Sequence, residues 1–187
     1  MGKKVYLKGK SHYIRPYFLD TGENLEDGSD IKEKLLKTGG IYSTMVELPF
    51  DNRDDAEEHL NAIGIPTNGM FGNLLKKIEV DGEKKIVYKV VRPHEVPAFD
   101  DPVQGPPKVW TNDIAKDENG NQVLNDWGKP VLGEWDPNVL IGNGSEITVK
   151  LDVWKGTKAT KITWEGVRID SLVEYDVPES DLEGVGF

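Results

Sequence analysis

Ile147-Thr148-Val149-Lys150-Leu151-Asp152-Val153-Trp154, then Lys155-Gly156-Thr157-Lys158, then Lys161-Ile162-Thr163-Trp164-Glu165-Gly166-Val167-Arg168-Ile169 is the stretch that decides the fold. Ile147, Val149, Leu151 and Val153 alternate with Thr148, Lys150, Asp152 and Trp154, the period-two pattern of a strand with one buried face. The tight loop predicts a hairpin, and its return strand puts Trp164 in phase with Ile162, so Trp164 is expected in the core. Glu165-Gly166 breaks the alternation and reads as a bulge. Beyond it Val167, Ile169 and Leu172 carry the strand to about Tyr175.

The same alternation recurs toward the N-terminus. Val5, Leu7 and Gly9 oppose Lys4, Tyr6, Lys8 and Lys10; after a short break Tyr13, Arg15 and Tyr17 are expected on one face, with Ile14 and Phe18 on the other. Pro16 suggests an edge or bulge. Ile41 to Phe50 forms another strand, and Leu74–Val80 with Lys84–Arg92 reads as a hairpin across Asp81-Gly82. Tyr88 falls in phase with Ile86 and Val90, a core position. Asp51 to Ile63 is the best helix signal, with a capping Asp51 or Asn52, acids in the first turns and a stop at Gly64. Residues 19–40 read as an acidic insertion with a short helical piece, Ile31–Leu36. Phe71 sits in a neutral, Gly-flanked loop, where it either caps the core or inserts between bases. Residues 93–107 hold five prolines and cross irregularly; an Asn119-Gly120 turn joins Lys108–Ala115 to Gln122–Leu124; residues 125–140 are expected to be irregular, and no internal repeat is apparent. Several short strands with one strong helix predict a mainly β fold, a small closed β-barrel with insertions.

At 187 residues the length fits one domain. The absence of Cys excludes disulfides, thiolate chemistry and Cys-type zinc sites. No apolar run approaches the ~20 residues of a membrane helix, and the N-terminus enters strand alternation with no apolar signal region, so a cytosolic setting is expected. The net charge of −10 conceals sorting along the chain. Residues 1–18 carry +5 with no acid, 19–60 carry −8, 76–92 carry +3, 93–140 carry −6, 141–168 carry +2 and 169–187 carry −6. Sorted charge makes local fields that a net value hides.

Bases interleaved with aromatics are the main chemical signal. Tyr6 lies among Lys4, Lys8 and Lys10; Tyr13 and Tyr17 flank Arg15; Trp154 stands beside Lys150, Lys155 and Lys158. Unpaired nucleic acid needs both components, cations for its phosphates and rings for its bases. Lys85, Lys89, Arg92 and Arg168 extend the cationic set along two further strands. Solvated Tyr and Lys on a strand face are also ordinary surface, and that reading stays open. Asp54, Asp55, Glu57, Glu58 and His59 could suggest a metal-dependent nuclease, but adjacent helix positions diverge and the helix dipole favours acids in the first turns. His12, His59 and His94 are isolated, so no catalytic residue, metal or cofactor is expected. The chain closes on Asp176, Glu179, Asp181, Glu183 and a terminal Phe187, an acidic segment whose last ring could anchor in a partner.

Four segments together resemble the single-stranded DNA-binding proteins of tailed phages, the podovirus-type replication family. They are Lys3-Lys4-Val5-Tyr6; Gly40-Ile41-Tyr42 through Glu47-Leu48-Pro49; Ile141-Gly142-Asn143-Gly144-Ser145 with Val149-Lys150, Val167-Arg168-Ile169 and Leu172-Val173-Glu174; and the acidic, aromatic C-terminus. The resemblance implies an oligonucleotide-binding (OB) Greek-key barrel over 1–175, with insertions at about 19–40, 51–75 and 93–140, and a flexible acidic tail at 176–187. It implies sequence-tolerant binding of single-stranded DNA in phage replication, recombination and repair, in the cytoplasm of the infected host. The tail would recruit phage DNA polymerase and helicase or primase and compete for the DNA groove, and monomer and homodimer both stay open. This chain departs from the pattern in a shorter, less acidic tail and in its long 19–40 and 93–140 segments. The alternative is a non-enzymatic protein-interaction or virion structural β-barrel module.

Overall fold

The computed structural model describes residues 2–96, 101–157 and 160–174. In chain order the elements are β1 (Lys3–Asp20), α1 (Asp30–Thr38), β2 (Ile41–Glu47), α2 (Arg53–Ala62), β3 (Asn68–Gly69), β4 (Gly72–Asn73), β5 (Leu75–Val80), β6 (Glu83–Pro93), β7 (Lys108–Ile114), β8 (Leu132–Glu134), β9 (Glu146–Lys155) and β10 (Thr160–Ser171). The fold is mainly β, an eight-stranded sheet in the order β5-β6-β2-β1-β9-β10-β7-β8 with β3 and β4 as a separate small hairpin.

β1 organises this sheet because it serves two partners. Lys3 to Lys10 pair antiparallel with β9, ending at Lys10 opposite Glu146; Ser11 onward pairs with β2, beginning opposite Val46. Gly9 stands at the changeover, where an added Cβ would collide with the Glu47 carbonyl oxygen. Only glycine lets the two backbones approach this closely. The sheet then curls until β6 meets β10. No ladder joins those two among the described residues; instead Arg92 of β6 donates to the Trp164 carbonyl of β10 at 3.2 Å and to the Gly105 and Gln104 carbonyls at 2.8 and 3.1 Å. The circuit β1-β2-β6-β10-β9 back to β1 is a partly open five-stranded Greek-key barrel, the OB arrangement.

Alternation fills the barrel. Val5 and Leu7 of β1, Val46 of β2, Tyr88 and Val90 of β6, Val149 and Leu151 of β9, and Trp164 and Val167 of β10 form one buried cluster. Trp164 is fully buried and its indole N–H donates to the Gly166 carbonyl; Tyr88 donates its hydroxyl to the Pro66 carbonyl at 2.7 Å. The β9–β10 register slips between Trp164 and Gly166, so the bulge at Glu165-Gly166 lets Trp164 and Val167 both face inward. α2 is capped by Asn52, whose side chain accepts from the Asp55 amide at 2.9 Å, and it buries Ala56 and Leu60 in the same core. The acids Asp54 and Asp55 sit in its first turn, and His59 packs its ring against Phe50 at 5.2 Å. Among the described residues no three His, Asp or Glu side chains converge as a metal site, and no helix is long and apolar enough to cross a membrane.

Two expectations need correction. β1 continues past the anticipated break, but bulges between His12 and Arg15 and between Arg15 and Asp20 disrupt its alternation. Tyr13 adopts φ 52 there, with its amide donating to the Asn143 side chain at 2.8 Å, and Phe18 is exposed with the Arg15 guanidinium 5.3 Å over its ring. Residues 125–140, expected to be irregular, hold β8 and a bridge from Pro130 to Leu124, and residues 117–140 carry a repeat. Asp117–Leu124, Asn125–Leu132 and Gly133–Leu140 are three successive eight-residue units, each closing on Val-Leu. The Ala115 amide donates to the Val131 carbonyl, the Val131 amide to Val123 and the Val123 amide to Ala115, closing a three-membered ring of backbone bonds at 2.9–3.1 Å. Bridges at Ile114–Leu132, Lys116–Gln122 and Leu124–Pro130 surround the ring. Two leaves project from it, each bound by an Asx turn: the Asp117 carboxylate accepts from the Asn119 and Asn121 amides, and the Asn125 side chain from those of Trp127 and Lys129.

Candidate nucleic-acid interface

The outer face of β1, β9, β10 and β7 gathers the first group of expected residues. Register places Tyr6 opposite Lys150, Lys4 opposite Asp152, Lys8 opposite Thr148 and Lys10 opposite Glu146. On the other side of β9, Trp154 lies opposite Lys161, Lys150 opposite Gly166 and Thr148 opposite Arg168. Paired residues share a face, so Lys4, Tyr6, Lys8, Lys10, Lys150, Trp154 and Arg168 form one continuous wall. Tyr6 is 60% exposed and Trp154 48%. Lys155 stands at the end of β9 in the opposite phase from Trp154.

Two further side chains join this wall that sequence reasoning did not single out. Trp110 of β7 lies opposite Arg168 in a parallel pairing, and its ring covers Gly166, where a Cβ would strike it. The Lys150 ammonium is 5.9 Å from the centre of that ring. Lys161 is the other addition. The Lys108-Val109-Trp110 alternation carried the signal for Trp110, but its place on the wall depends on a parallel β10–β7 pairing that no local pattern reveals.

The wall is less positive than its lysines suggest. Glu165 reaches Lys4 at 2.7 Å and Lys150 at 3.5 Å, and Asp152 takes a second contact from Lys4 at 3.4 Å and the Trp154 indole N–H at 2.9 Å. Burial pushes the Glu165 carboxyl up, but Lys4 and Lys150 outweigh it and hold it below the usual carboxylate range. The hydrogen bond to Glu165 in turn raises the Lys4 ammonium against its own desolvation. Arg168 is tied to Asp170, itself bonded by Thr148. Lys8, Lys10 and Lys161 make no ion pair among the described residues.

The remaining expected residues lie elsewhere. Tyr13 and Arg15 sit on the second half of β1, beyond the changeover, with Arg15 opposite Ser43 of β2. Tyr17 is turned toward acids: burial, Asp136 and Glu134 raise its hydroxyl above the ordinary value. Lys85 is held by Glu83 at 3.2 Å beside Glu47, which also bonds His12. Arg92, also expected among the cations, donates to three carbonyls at the β6–β10 closure, so its guanidinium is engaged in holding that seam. Lys158 and the tail residues Asp176, Glu179, Asp181, Glu183 and Phe187 lie outside the described residues.

Lys89 belongs to a cleft of about 550 Å³ at the open β6–β10 seam. Tyr88 to Val91 form one side, Thr160 to Trp164 the other, and Met70 and Phe71 of the β3–β4 hairpin hang over it. Burial lowers the Lys89 ammonium, and the nearby cations Lys76 and Arg15 add to this while Asp20 opposes it. Lys161 lines the cleft and also lies opposite Trp154, so wall and cleft meet at the start of β10. A cleft between strands 78 residues or so apart in sequence leaves no local signature, which is why it escaped the sequence reading.

No family model matches the chain, and no curated protein sequence matches it. Among solved structures it is similar to gp2.5, a single-stranded DNA-binding protein encoded by bacteriophage T7, at 14% identity and a TM-score of 0.41 over 99% of this chain and 96% of that one. It is also similar to the single-stranded DNA-binding protein of bacteriophage Enc34 in complex with ssDNA, at 13% identity and a TM-score of 0.43 over 94% of this chain and 88% of that one.

Proposed function

We propose that the chain binds single-stranded DNA without reading its sequence. The observation that carries this is the wall: Tyr6, Trp110 and Trp154 interleave with Lys4, Lys8, Lys10, Lys150 and Lys161 on one strand face that runs into an apolar cleft. Rings on such a face stack on any base for about 1–3 kcal/mol each, while the cations follow the phosphates. Duplex DNA hides its base faces and gains only the electrostatic part. Residues 1–175 serve as the binding domain and 176–187 as a tail that competes for the wall and recruits replication enzymes such as a polymerase and a helicase or primase. The setting is phage DNA replication, recombination and repair.

Titrating intrinsic Trp fluorescence with oligo-dT at increasing salt tests the reading. Affinity should fall by roughly 0.7 log units per log unit of salt for each phosphate engaged. Truncation after Tyr175 should tighten binding. Fluorescence that does not respond to oligo-dT at low salt removes the DNA reading; unchanged affinity after truncation removes the competing tail alone.

A further inference from the structure

We propose that the two-leaved arm over residues 113–136 is a self-association surface that docks on the lysine-bearing face of β1 in a second copy of the chain. The arm is ordered without being buried. Its backbone ring and two Asx turns fix its shape, yet Ile114, Leu124 and Trp127 are 41%, 55% and 83% exposed. Residues at the three bridges sit one step from Ala115, Val123 and Val131, so alternation puts Ile114, Leu124, Pro130 and Leu132 together on the opposite face, with the Lys116–Gln122 pair beside them. A small β element with apolar side chains in water is marginal by itself. A rigid apolar face of this kind loses little conformational freedom when it binds.

Charge selects the occupant. Residues 113–136 hold six acids and two bases, with Asp117 and Glu118 in one leaf and Asp126 next to Trp127 in the other. Arm against arm would set two acidic surfaces together, and a DNA backbone would be repelled. The complementary surface is the outer face of β1: residues 1–18 hold no acid, and Lys8 and Lys10 follow the exposed Tyr6 on that face without ion pairs among the described residues. Within one copy β9 and β10 separate β1 from β7, at about 4.8 Å per strand spacing. The contact joins two different patches: run head to tail it builds open chains of molecules, and exchanged reciprocally about a two-fold axis it closes a dimer. The same lysines are proposed to face DNA and to be contested by the acidic tail, so oligo-dT should disperse these assemblies and removal of the tail should strengthen them, whereas self-association of the tail-less chain without DNA stands or falls independently of DNA binding.

Sedimentation velocity of the full-length chain at low salt is the test. The wild type should show concentration-dependent association that weakens with salt. Trp127→Ala with Leu124→Ser should weaken it by about 30-fold, with the urea midpoint unchanged. Glu118→Lys with Asp126→Lys should abolish it, as should Lys8→Glu with Lys10→Glu. Mixing those two charge-reversed proteins should restore association between them. A chain that stays monomeric both at full length and when cut after Tyr175, arm variants that associate like the wild type, or reversed partners that remain apart would each overturn the proposal. So would weaker oligo-dT binding by the Trp127→Ala, Leu124→Ser protein, which would make the arm a DNA contact.

Discussion

Glu165→Gln should make the chain bind single-stranded DNA more tightly. Glu165 holds two wall lysines, Lys4 at 2.7 Å and Lys150 at 3.5 Å, in a contact that a phosphate would have to displace. The neutral amide keeps the shape, releases Lys150 and leaves Lys4 only its 3.4 Å contact with Asp152. Each added phosphate contact contributes roughly 0.7 log units per log unit of salt, so at a tenth of molar salt one freed lysine is worth about fivefold and two about 25-fold. The slope of log affinity against log salt should steepen at the same time, by about 0.7 for Lys150 alone and about 1.4 where a phosphate also draws Lys4 from Asp152. Fluorescence titration with oligo-dT at several salt concentrations measures both quantities. Glu33→Gln on α1 controls for removing one negative charge and should leave the slope unchanged. Tighter binding with no change in slope, or no change in either, would refute the idea that Glu165 withholds these lysines. Stability supplies a second readout with a defined sign. The Glu165 pKa is depressed by folding, so its ion pairs contribute above the ordinary carboxyl value of 4.5 and are lost as pH falls through the lowered one. The stability difference between wild type and variant should vanish below that point.

Trp154→Ala should weaken oligo-dT, oligo-dC and mixed-sequence binding alike, by about 1–3 kcal/mol; a loss confined to one base would indicate sequence readout instead. Arg92→Ala leaves three carbonyls at the β6–β10 closure without their donor, and urea denaturation should show a loss of about 3 kcal/mol, against little change if solvent replaces it. Gly9→Ala drives a methyl into the Glu47 carbonyl at the β1 changeover. Differential scanning calorimetry should register about 1–3 kcal/mol of destabilisation, and an unchanged melting temperature would show that β1 can shift there freely.

Local patterns carried much of the barrel. The Ile147–Val153 alternation, the break at Glu165-Gly166 and the in-phase placement of Trp164 and Tyr88 are facts about neighbouring residues, and the structure reproduces them. The limits appear wherever a property belongs to distant residues. Lys4 and Lys150 looked like free cations because Glu165 meets them only through the β9–β10 register. Arg92 looked like a surface base because the Gly105 and Trp164 carbonyls lie across the seam. Phe18 followed the alternation on paper, yet two bulges move it to the exposed side beside Arg15. The Val-Leu repeat was present in the sequence but short, and its meaning emerges only from the ring that Ala115, Val123 and Val131 close.

β1 joins both halves of the sheet, and this sets an order of events during synthesis. Its first eight residues leave the ribosome long before their partner strand exists, since Glu146 is translated some 140 residues later, roughly 7–28 s at ordinary elongation rates. Such distant pairing slows folding and leaves an unsatisfied edge waiting. Lys3, Lys4, Lys8 and Lys10 then have a use before any ligand arrives: like charges along a nascent edge keep neighbouring polypeptides from completing it.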